Sequence, residues 1–267
     1  MRFAELKNVA SKHGIDCLGV VDFSFVKGHL FTCGGVDRLP ERAKSVIVML
    51  FPYYIHGCEQ RNLARYAVLP DYHAVAGDIL NKIARGLKQI HPEYSFVSFA
   101  DNSPIKEVKT AAHAGLGVIG KNGLLINEKY GSFVFIGEIV TDLDIENTFK
   151  ESPGECRNCG VCLKKCLSCA LSGDGFDRKN CISDISQKKG ALTNDEKALI
   201  KKSGFVWGCD ICQDCCPHNK NIQQSEISSF IRGVKPNLNK TMLPGCADRA
   251  FIWRGEEVLL RNLEIFE

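Results

Sequence analysis

The second half of the sequence contains two cysteine-rich stretches, CRNCGVCLKKC at residues 156–166 and CDICQDCCP at residues 209–217. The first has the spacing C-x2-C-x2-C-x3-C, and the second has C-x2-C-x3-C-P. Two intervening residues let a tight turn present successive thiolates to the corners of one cubane, as in bacterial two-cluster ferredoxins. The two stretches therefore predict two [4Fe–4S] clusters and a redox protein.

Eight cysteines complete two sets of cluster ligands. In two-cluster ferredoxins the fourth cysteine of such a run binds the other cluster. The predicted sets are Cys156, Cys159, Cys162 and Cys216 for one cluster, and Cys166, Cys181, Cys209 and Cys212 for the other. Cys181 is chosen because it lies in the polar stretch between the two groups. Cys169 and Cys215 lie close enough in sequence to compete for these places.

Zinc and disulfides are the alternatives to iron. Structural zinc sites use longer gaps between CxxC pairs, whereas three cysteines fall within seven residues at 156–162. Residues 1–7 carry charges where a secretory signal needs an apolar core. We therefore expect a cytoplasmic protein, in which fourteen cysteines serve metal or redox chemistry rather than disulfides. The isolated Cys17, Cys33, Cys58 and Cys246 are expected to be small buried apolar residues.

Composition and charge exclude some classes of function. The chain has 267 residues, 45% of them apolar and 24% charged, which is typical of a globular protein. A net charge of +3 does not by itself indicate a nucleic-acid partner. The longest nearly apolar run, residues 46–55, is far too short for a membrane span, so no membrane partner is expected.

The sequence divides into three parts that together predict an α+β protein. Residues 1–149 alternate helical and strand patterns, as in an α/β domain. We predict helices at residues 3–13, 71–90 and 104–114, and strands at 15–21, 45–51, 94–100, 124–127 and 132–140. Residues 150–222 form the two-cluster domain. Residues 223–267 are a polar linker followed by a terminal helix from Ala247.

The segment AGLGVIGKN at residues 114–122 contains the glycine spacing of a dinucleotide-binding motif. That motif must follow a strand and open a helix. Here it follows a predicted helix and precedes a predicted strand, which excludes a Rossmann site. The two strands after it are joined around residues 128–131 and predict a hairpin.

Several segments together resemble the epoxyqueuosine reductase family, the cobalamin-dependent iron–sulfur enzymes of tRNA queuosine biosynthesis. They are AGLGVIGKN at 114–122, YGSFVFIGEI at 130–139, NCIS at 180–183, WGCDICQ at 207–213, CPHN at 216–219 and LRN at 260–262. The resemblance covers roughly residues 40–265. It implies a nitroreductase-like α/β domain that holds cobalamin, joined to a ferredoxin-like domain with the same crossed ligand sets.

The resemblance also implies roles for individual residues. The family's proton donor beside the cobalt is an aspartate, whose counterpart here is Asp101. Its cobalamin contacts correspond to Arg65, Asp101, Leu125, Ile136, Ser183, Ser186, Cys209 and Asp210. A low-potential flavodoxin or ferredoxin is the expected electron donor. Lysine pairs at 164–165, 188–189 and 201–202 either dock this acidic partner or form a solvated face.

Three departures limit what the resemblance implies. Asn102 is unusual after the aspartate, and Cys166 is followed by Leu167 where the family has proline. The resemblance also ends near residues 260–262, before the helical-repeat domain with which full-length members grip tRNA. The substrate is therefore left open between tRNA and a small molecule.

Structural and non-catalytic alternatives apply to the same residues. Asp101 precedes a predicted helix that starts with Pro104, where an aspartate commonly caps the helix. Acid catalysis would instead need a raised pKa, as in a low-dielectric pocket. His73 either lines the substrate pocket or caps its helix. The whole chain is predicted to be a reductase; an electron carrier or accessory subunit is the main alternative, and a nucleic-acid binder with structural clusters is a third.

Overall fold

The computed structural model describes residues 1–173 and 175–267. The strands of the first part are β1 (Leu18–Asp22), β2 (Ser45–Pro52), β3 (Phe96–Ala100), β4 (Val118–Ile119), β5 (Leu125–Ile126) and β6 (Val134–Thr141). The helices are α1 (Phe3–Ser11), α2 (Phe23–Lys27), α3 (Tyr72–Ile90) and α4 (Glu107–His113). An antiparallel sheet of order β1-β2-β6-β3 forms the centre. The predicted α+β class is confirmed.

Helices cover both faces of the central sheet. β2 is buried along its whole length, and its side chains alternate between the two faces. Met49 lies in the apolar cluster that contains residues of α1 and α3, whereas Val48 lies in the cluster that contains residues of α4. The near-continuous apolar pattern of residues 45–51 therefore reflects a strand buried on both sides.

The helix predicted at residues 104–114 begins three residues later, at Glu107. Residues 101–106 form a loop in which Asp101 and Asn102 have φ angles of +60° and +49°. The backbone N–H of Ile105 donates to Ser103 Oγ at 3.1 Å, which closes a local turn before the helix. The loop extends from β3 to α4 and carries Asp101.

The predicted hairpin at residues 124–140 is wrong. β5 pairs with β4 in a separate two-stranded sheet, while β6 lies between β2 and β3 in the central sheet. The tight turn itself is present, because Asn127 and Gly131 exchange two backbone hydrogen bonds of 2.9 Å. After that turn the chain leaves β5, since the eight-residue β6 finds two long partners in the central sheet.

The cysteine-rich part consists of short elements. They are α5 (Val161–Lys165), β7 (Leu171–Ser172), β8 (Gly175–Phe176), α6 (Ile182–Ile185), α7 (Asn194–Ser203) and α8 (Ile211–Asp214). A capping box between Thr193 and Glu196 begins α7, and Gly204 with φ +77° ends it. Ile182, Ile185 and Ile200 belong to a small apolar cluster of this region.

The C-terminal part packs onto the apolar cluster that contains residues of α1 and α3. It contains α9 (Ser228–Arg232) and α10 (Glu256–Glu264), and its Phe230, Phe251 and Leu259 are buried in that cluster. The terminal helix expected from Ala247 is instead a 3-10 turn, Ala250–Arg254, followed by α10. Gly255 has φ +99°, which is incompatible with a continuous helix.

The longest helix of the described residues is α3, with 19 residues and one buried apolar face. Asp71 precedes it and accepts a hydrogen bond from the backbone N–H of His73, as an N-cap residue does. In the part of the chain that the structure describes, no helix combines the length and apolarity needed to span a membrane.

Candidate active site

Cys156, Cys159, Cys162 and Cys216 line one small cavity, together with Lys121, Arg157 and His218. Asn158 and Gly160 have φ angles of +57° and +68°, and these left-handed residues turn the chain between the cysteines. Burial raises the pKa of Cys162, and nearby Cys216 and Cys159 raise it further. Cys159 is exposed, so this group lies at the protein surface.

Cys166, Cys181, Cys209 and Cys212 line a second, much larger cavity. Burial raises the pKa of Cys209 to about 12, and the charges of Cys181 and Cys166 contribute to this. Such buried thiols do not ionise together unless a cationic centre compensates their charge. Their chemistry therefore fits a metal cluster.

These two groups match the sets that the crossed ferredoxin pattern predicts. The two other cysteines nearby, Cys169 and Cys215, are assigned to neither set. Cys169 is exposed with φ +53°, while burial raises the pKa of Cys215 and nearby Cys162 and Cys216 add to this shift. The grouping supports the predicted ligands, and their binding to iron stays a prediction.

The large cavity has a volume of about 1040 Å³ and lies between the sheet domain and the cysteine-rich part. Tyr66, Tyr72, Phe135 and Trp207 contribute aromatic side chains to its lining. Trp207 is 1% exposed; burial raises the pKa of Tyr66, and a hydrogen bond with the Trp207 side chain opposes this shift. The cavity thus combines flat apolar surfaces with a buried indole N–H beside the Tyr66 hydroxyl.

A histidine between two aspartates lies at the same cavity. Nε2 of His73 lies 3.0 Å from Asp101 Oδ2, and its Nδ1 lies 2.6 Å from Asp71 Oδ1. The hydrogen bond to Asp101 raises the pKa of His73, and the bond to Asp71 adds to this shift. The same contact with His73 lowers the pKa of Asp101. In this arrangement the contact therefore acts against the raised pKa that acid catalysis by Asp101 needs.

Asp101 is not a helix cap. Its side chain is 58% exposed and contacts His73, and α4 begins only at Glu107, with Lys106 at the N-cap position. Asp71 has the capping role on α3 instead. The sequence left His73 open between a pocket role and a capping role; its ring lines the cavity, whereas Asp71 caps α3 by accepting from the His73 backbone N–H.

The residues expected to contact cobalamin divide into two groups. Asp101, Ser183, Cys209 and Asp210 line the large cavity. The other four expected residues do not line it, namely Arg65, Leu125, Ile136 and Ser186. The Arg65 guanidinium stacks on the Tyr54 ring at 4.6 Å, and Ser186 Oγ accepts from the backbone N–H of Gly208 at 3.0 Å. Leu125 and Ile136 pack in the apolar cluster that contains residues of α4.

Strand alternation explains part of this difference. Leu124 and Phe135 line the cavity, and each is the sequence neighbour of an expected residue that does not. Successive side chains of an extended segment point to opposite sides, which accounts for Leu125; it does not account for Ile136, because Val134 on the same face of β6 lines the cavity. Sequence therefore located the correct segments but not the face that each presents to the cavity.

Asp210 joins the cysteine-rich part to the segment that precedes α3. Its buried Oδ2 accepts from Arg61 Nη2 at 3.0 Å and from the backbone N–H of Arg65. Burial raises the pKa of Asp210, and the charge of Arg61 opposes this shift. Arg61 and Arg65 also pair with Asp214 on α8. This network fixes α8, and with it Cys212, against the sheet domain.

Several cavity residues were not predicted from the sequence. Trp207 lies in the segment WGCDICQ, so a signal for it was present. Phe176 and Trp253 also line the cavity and are 55% and 63% exposed. Nothing in their local sequence pattern distinguishes them from ordinary surface residues.

Two family models match the chain. Residues 35–102 match the model described as "Epoxyqueuosine reductase QueG, DUF1730", and this range includes His73 and Asp101. Residues 155–219 match a "4Fe-4S double cluster binding domain", and this range includes all eight predicted cluster ligands.

Curated relatives carry the name epoxyqueuosine reductase. The protein of Lactococcus garvieae is 35% identical over 204 residues, which are 72% of this chain and 57% of the relative. That of Cyclobacterium marinum is 32% identical over 255 residues, covering 85% of this chain and 82% of the relative. The chain spans little more than half the length of the relatives from L. garvieae and Gloeobacter violaceus, at 57% and 55%.

Solved structures share the fold. The epoxyqueuosine reductase of Streptococcus thermophilus superposes with a TM-score of 0.81 at 27% identity, over 98% of this chain and 80% of the other. Another epoxyqueuosine reductase, bound to an epoxyqueuosine-modified tRNA-Tyr stem loop, has a TM-score of 0.81 at 22% identity, with the same coverage. A reductive dehalogenase interpreted as B12-dependent shares only the fold, with a TM-score of 0.54 at 17% identity over 97% of this chain and 37% of the other. The match over most of the C. marinum protein, with the model at residues 35–102, shows that the chain belongs to the epoxyqueuosine reductase family.

Proposed function

We propose that the chain is a cobalamin-dependent iron–sulfur reductase that acts on an epoxide-bearing modified nucleoside of tRNA. The observation that carries the proposal is the large cavity, because four cysteines and the Asp101–His73 pair line the same space. A relative of similar fold binds an epoxyqueuosine-modified tRNA stem loop, which supports this substrate class. The named relatives support the reductase activity.

The cavity fits cobalamin by its size and by its chemistry. Its volume of about 1040 Å³ lies at the upper end of the ~300–1,000 Å³ of small-molecule pockets. Tyr66, Phe135 and Trp207 would contact the flat corrin, and the Tyr66 hydroxyl and Trp207 Nε1–H would face its amide side chains. Ser183 and Asp210 would contact it from the cysteine-rich side. When bound, cobalamin supplies a strongly reducing centre at the substrate.

The Asp101–His73 pair holds the proton that the reaction needs. Loss of an epoxide oxygen as water consumes two electrons and two protons. The contacts with Asp101 and Asp71 keep His73 protonated to higher pH, while Asp101 stays ionised. In the resting site the proton is therefore on His73; Asp101 takes it across the 3.0 Å contact and delivers it to the substrate oxygen, and the partly exposed His73 regains a proton from solvent for the second transfer.

The surface group of cysteines is the proposed entry point for electrons. Cys159 is exposed, and Lys121 and Arg157 line the same cavity. Their positive charge suits an acidic flavodoxin or ferredoxin as donor. Of the lysine pairs noted in the sequence, Lys188 is engaged by Glu196, whereas Lys164 and Lys165 remain exposed beside this cysteine group.

Titration of anaerobically reconstituted protein with cobalamin, followed by absorption spectroscopy, tests the proposal. We expect saturable binding, and we expect Trp207→Phe to weaken it by roughly three- to tenfold, because it removes the buried indole N–H that orients the Tyr66 hydroxyl at the cavity. Trp253→Phe is the comparison within the same cavity: it removes an indole N–H from an exposed lining side chain, so a smaller effect is expected. Absence of binding in both the cob(III) and cob(II) states would favour the electron carrier instead.

A further inference from the structure

Glu138 is an acidic residue at the centre of the sheet. It lies on β6 opposite Val48 of β2 and Phe99 of β3, and it is fully buried. Burial raises its pKa to about 7. A carboxyl group at such a position destabilises the fold unless its oxygens have partners. The buried carboxyl of Glu138 therefore needs a hydrogen-bond partner within the protein.

That contact is the hydroxyl of Ser103. Ser103 Oγ donates to Glu138 Oε2 and accepts from the backbone N–H of Ile105 at 3.1 Å. The hydroxyl thus uses its one proton on Glu138 and a lone pair on its own loop. Glu138 Oε1 has no hydrogen-bond partner within residues 1–173 and 175–267. The single bond to Ser103 joins the sheet to the Asp101 loop.

The loop needs such an anchor because its backbone is strained. Asp101 and Asn102 both adopt left-handed φ angles, +60° and +49°, which cost free energy in residues other than glycine. The Asp101 side chain is 58% exposed and contacts His73. Further along the chain, Pro104 O accepts from Phe31 N at 2.7 Å. Through its bond to Glu138, Ser103 therefore ties the strained residues Asp101 and Asn102 to the central sheet.

A second carboxyl, that of the half-buried Glu107, lies near Glu138. Burial raises the pKa of Glu107 to about 9, and the charges of Glu138 and Asp101 add to this shift. Near neutral pH Glu107 therefore keeps its proton, whereas Glu138 can ionise. This leaves Glu138 able to accept a charge-assisted hydrogen bond from Ser103, which is stronger than a neutral one.

We propose that the hydrogen bond between Glu138 and Ser103 is a latch: it holds the loop of residues 101–106, so that Asp101 stays in contact with His73. Glu138 is a positioning residue, since it acts through Ser103 and does not line the cavity. The importance of the latch for turnover rests on the proposed function, but its geometry does not. A Bacillus subtilis epoxyqueuosine reductase of similar fold has been observed with its catalytic aspartate loop swung out of the active site, which is the movement that the latch would oppose.

The pKa of His73, measured by NMR on histidine-labelled full-length protein, tests the latch without cofactor or substrate. Only Asp101 and Asp71 raise this pKa, and Ser103→Ala removes no charge. We expect Ser103→Ala to lower the pKa of His73 at least half as far as Asp101→Asn does. Ser103→Thr, which keeps the hydroxyl, should retain the wild-type pKa.

Glu138→Ala should lower the pKa of His73 as Ser103→Ala does. If that variant does not fold, the two Ser103 variants still decide the question, because Ser103 is only half-buried. A wild-type pKa of His73 in Ser103→Ala would overturn the latch. Failure of cobalamin binding would overturn the proposed function and leave this measurement unaffected, so the two failures are distinguishable.

Discussion

Nε2 of His73 lies 3.0 Å from Asp101 Oδ2, although the two residues are 28 positions apart in the sequence. His73 lies in the first turn of α3, and Asp101 lies in the loop after β3. The contact raises the pKa of the imidazole and lowers that of the carboxylate. The two side chains thus form one proton-holding unit at the cavity.

Asp101→Asn is expected to lower the pKa of His73, because the amide cannot stabilise the imidazolium as a carboxylate does. A raised folded-state pKa means that protonated His73 stabilises the fold fully below its unfolded pKa, ~6.5. This contribution is lost as the pH rises through the raised value. NMR titration of the histidines measures the shift.

Asp78→Asn is the matched control for this titration. Asp78 lies on α3 and pairs with Lys82, so the substitution removes the same charge without touching His73. Equal shifts in the two variants would mean that the general field of the helix, not the Asp101 contact, sets the pKa of His73.

Most of the two cysteine groups could be predicted from the spacing and the crossed ligand pattern of two-cluster ferredoxins, whereas Cys181 was chosen by its place between the two runs. The His73–Asp101 contact could not be predicted, because it depends on two left-handed residues at 101–102 that no periodic pattern indicates. The position of β6 was not predicted either, because it too depends on contacts between residues distant in the sequence. The turn at residues 127–131 suggested local pairing, whereas burial between β2 and β3 favours a long-range partner.

Anaerobic reconstitution should give eight iron and eight sulfide per chain, as two [4Fe–4S] clusters require. Cys216→Ala should damage the cluster of Cys156, Cys159 and Cys162, whereas Cys181→Ala should damage that of Cys166, Cys209 and Cys212. Iron and sulfide analysis with EPR of the reduced protein distinguishes the two losses. Each set lines a single cavity, which is the structural basis for this expectation.

Cys169→Ala and Cys215→Ala are the controls and should leave both clusters intact. Cys169 is exposed, and Cys215 Sγ contacts Cys212 O at 3.5 Å. About four iron per chain in the wild type, or stoichiometric zinc, would contradict the two-cluster prediction.

Asn262→Ala should destabilise the protein by about 2 kcal/mol, since it removes two buried hydrogen bonds. Asn262 Nδ2 donates to Ser186 O at 2.7 Å and to Val206 O at 2.8 Å, and the side chain is fully buried. These bonds join α10 to the segments on either side of α7. Thermal unfolding should show a midpoint lower by roughly 4–8 °C.

Asn237→Ala tests whether this effect is specific to the buried amide. Asn237 is exposed, and its Nδ2 lies 3.4 Å from Gln60 O. Its replacement should change the midpoint by less than about 2 °C. Similar losses in both variants would show that Asn262 does not join the two parts.

Asp101→Asn should keep the clusters and cobalamin binding but lower turnover by ~10²–10⁴-fold, the usual contribution of general acid catalysis. Asparagine tolerates the left-handed backbone about as well as aspartate, and its amide oxygen still accepts from His73. The substitution therefore removes the proton donor while preserving the loop. Anaerobic assay with an epoxyqueuosine-modified stem loop, after checking iron content and cobalamin absorption, measures the loss.

Asp71→Asn provides the comparison that separates acid catalysis from the support of His73. Asparagine caps a helix about as well as aspartate, so α3 should be unaffected, and His73 keeps its 3.0 Å contact with Asp101. We expect a loss of turnover smaller than that of Asp101→Asn, because this variant weakens the proton store but leaves the donor in place. If Asp101→Asn retains turnover within a few-fold of the wild type while His73→Gln does not, the proton reaches the substrate directly from His73, and Asp101 only orients the imidazole.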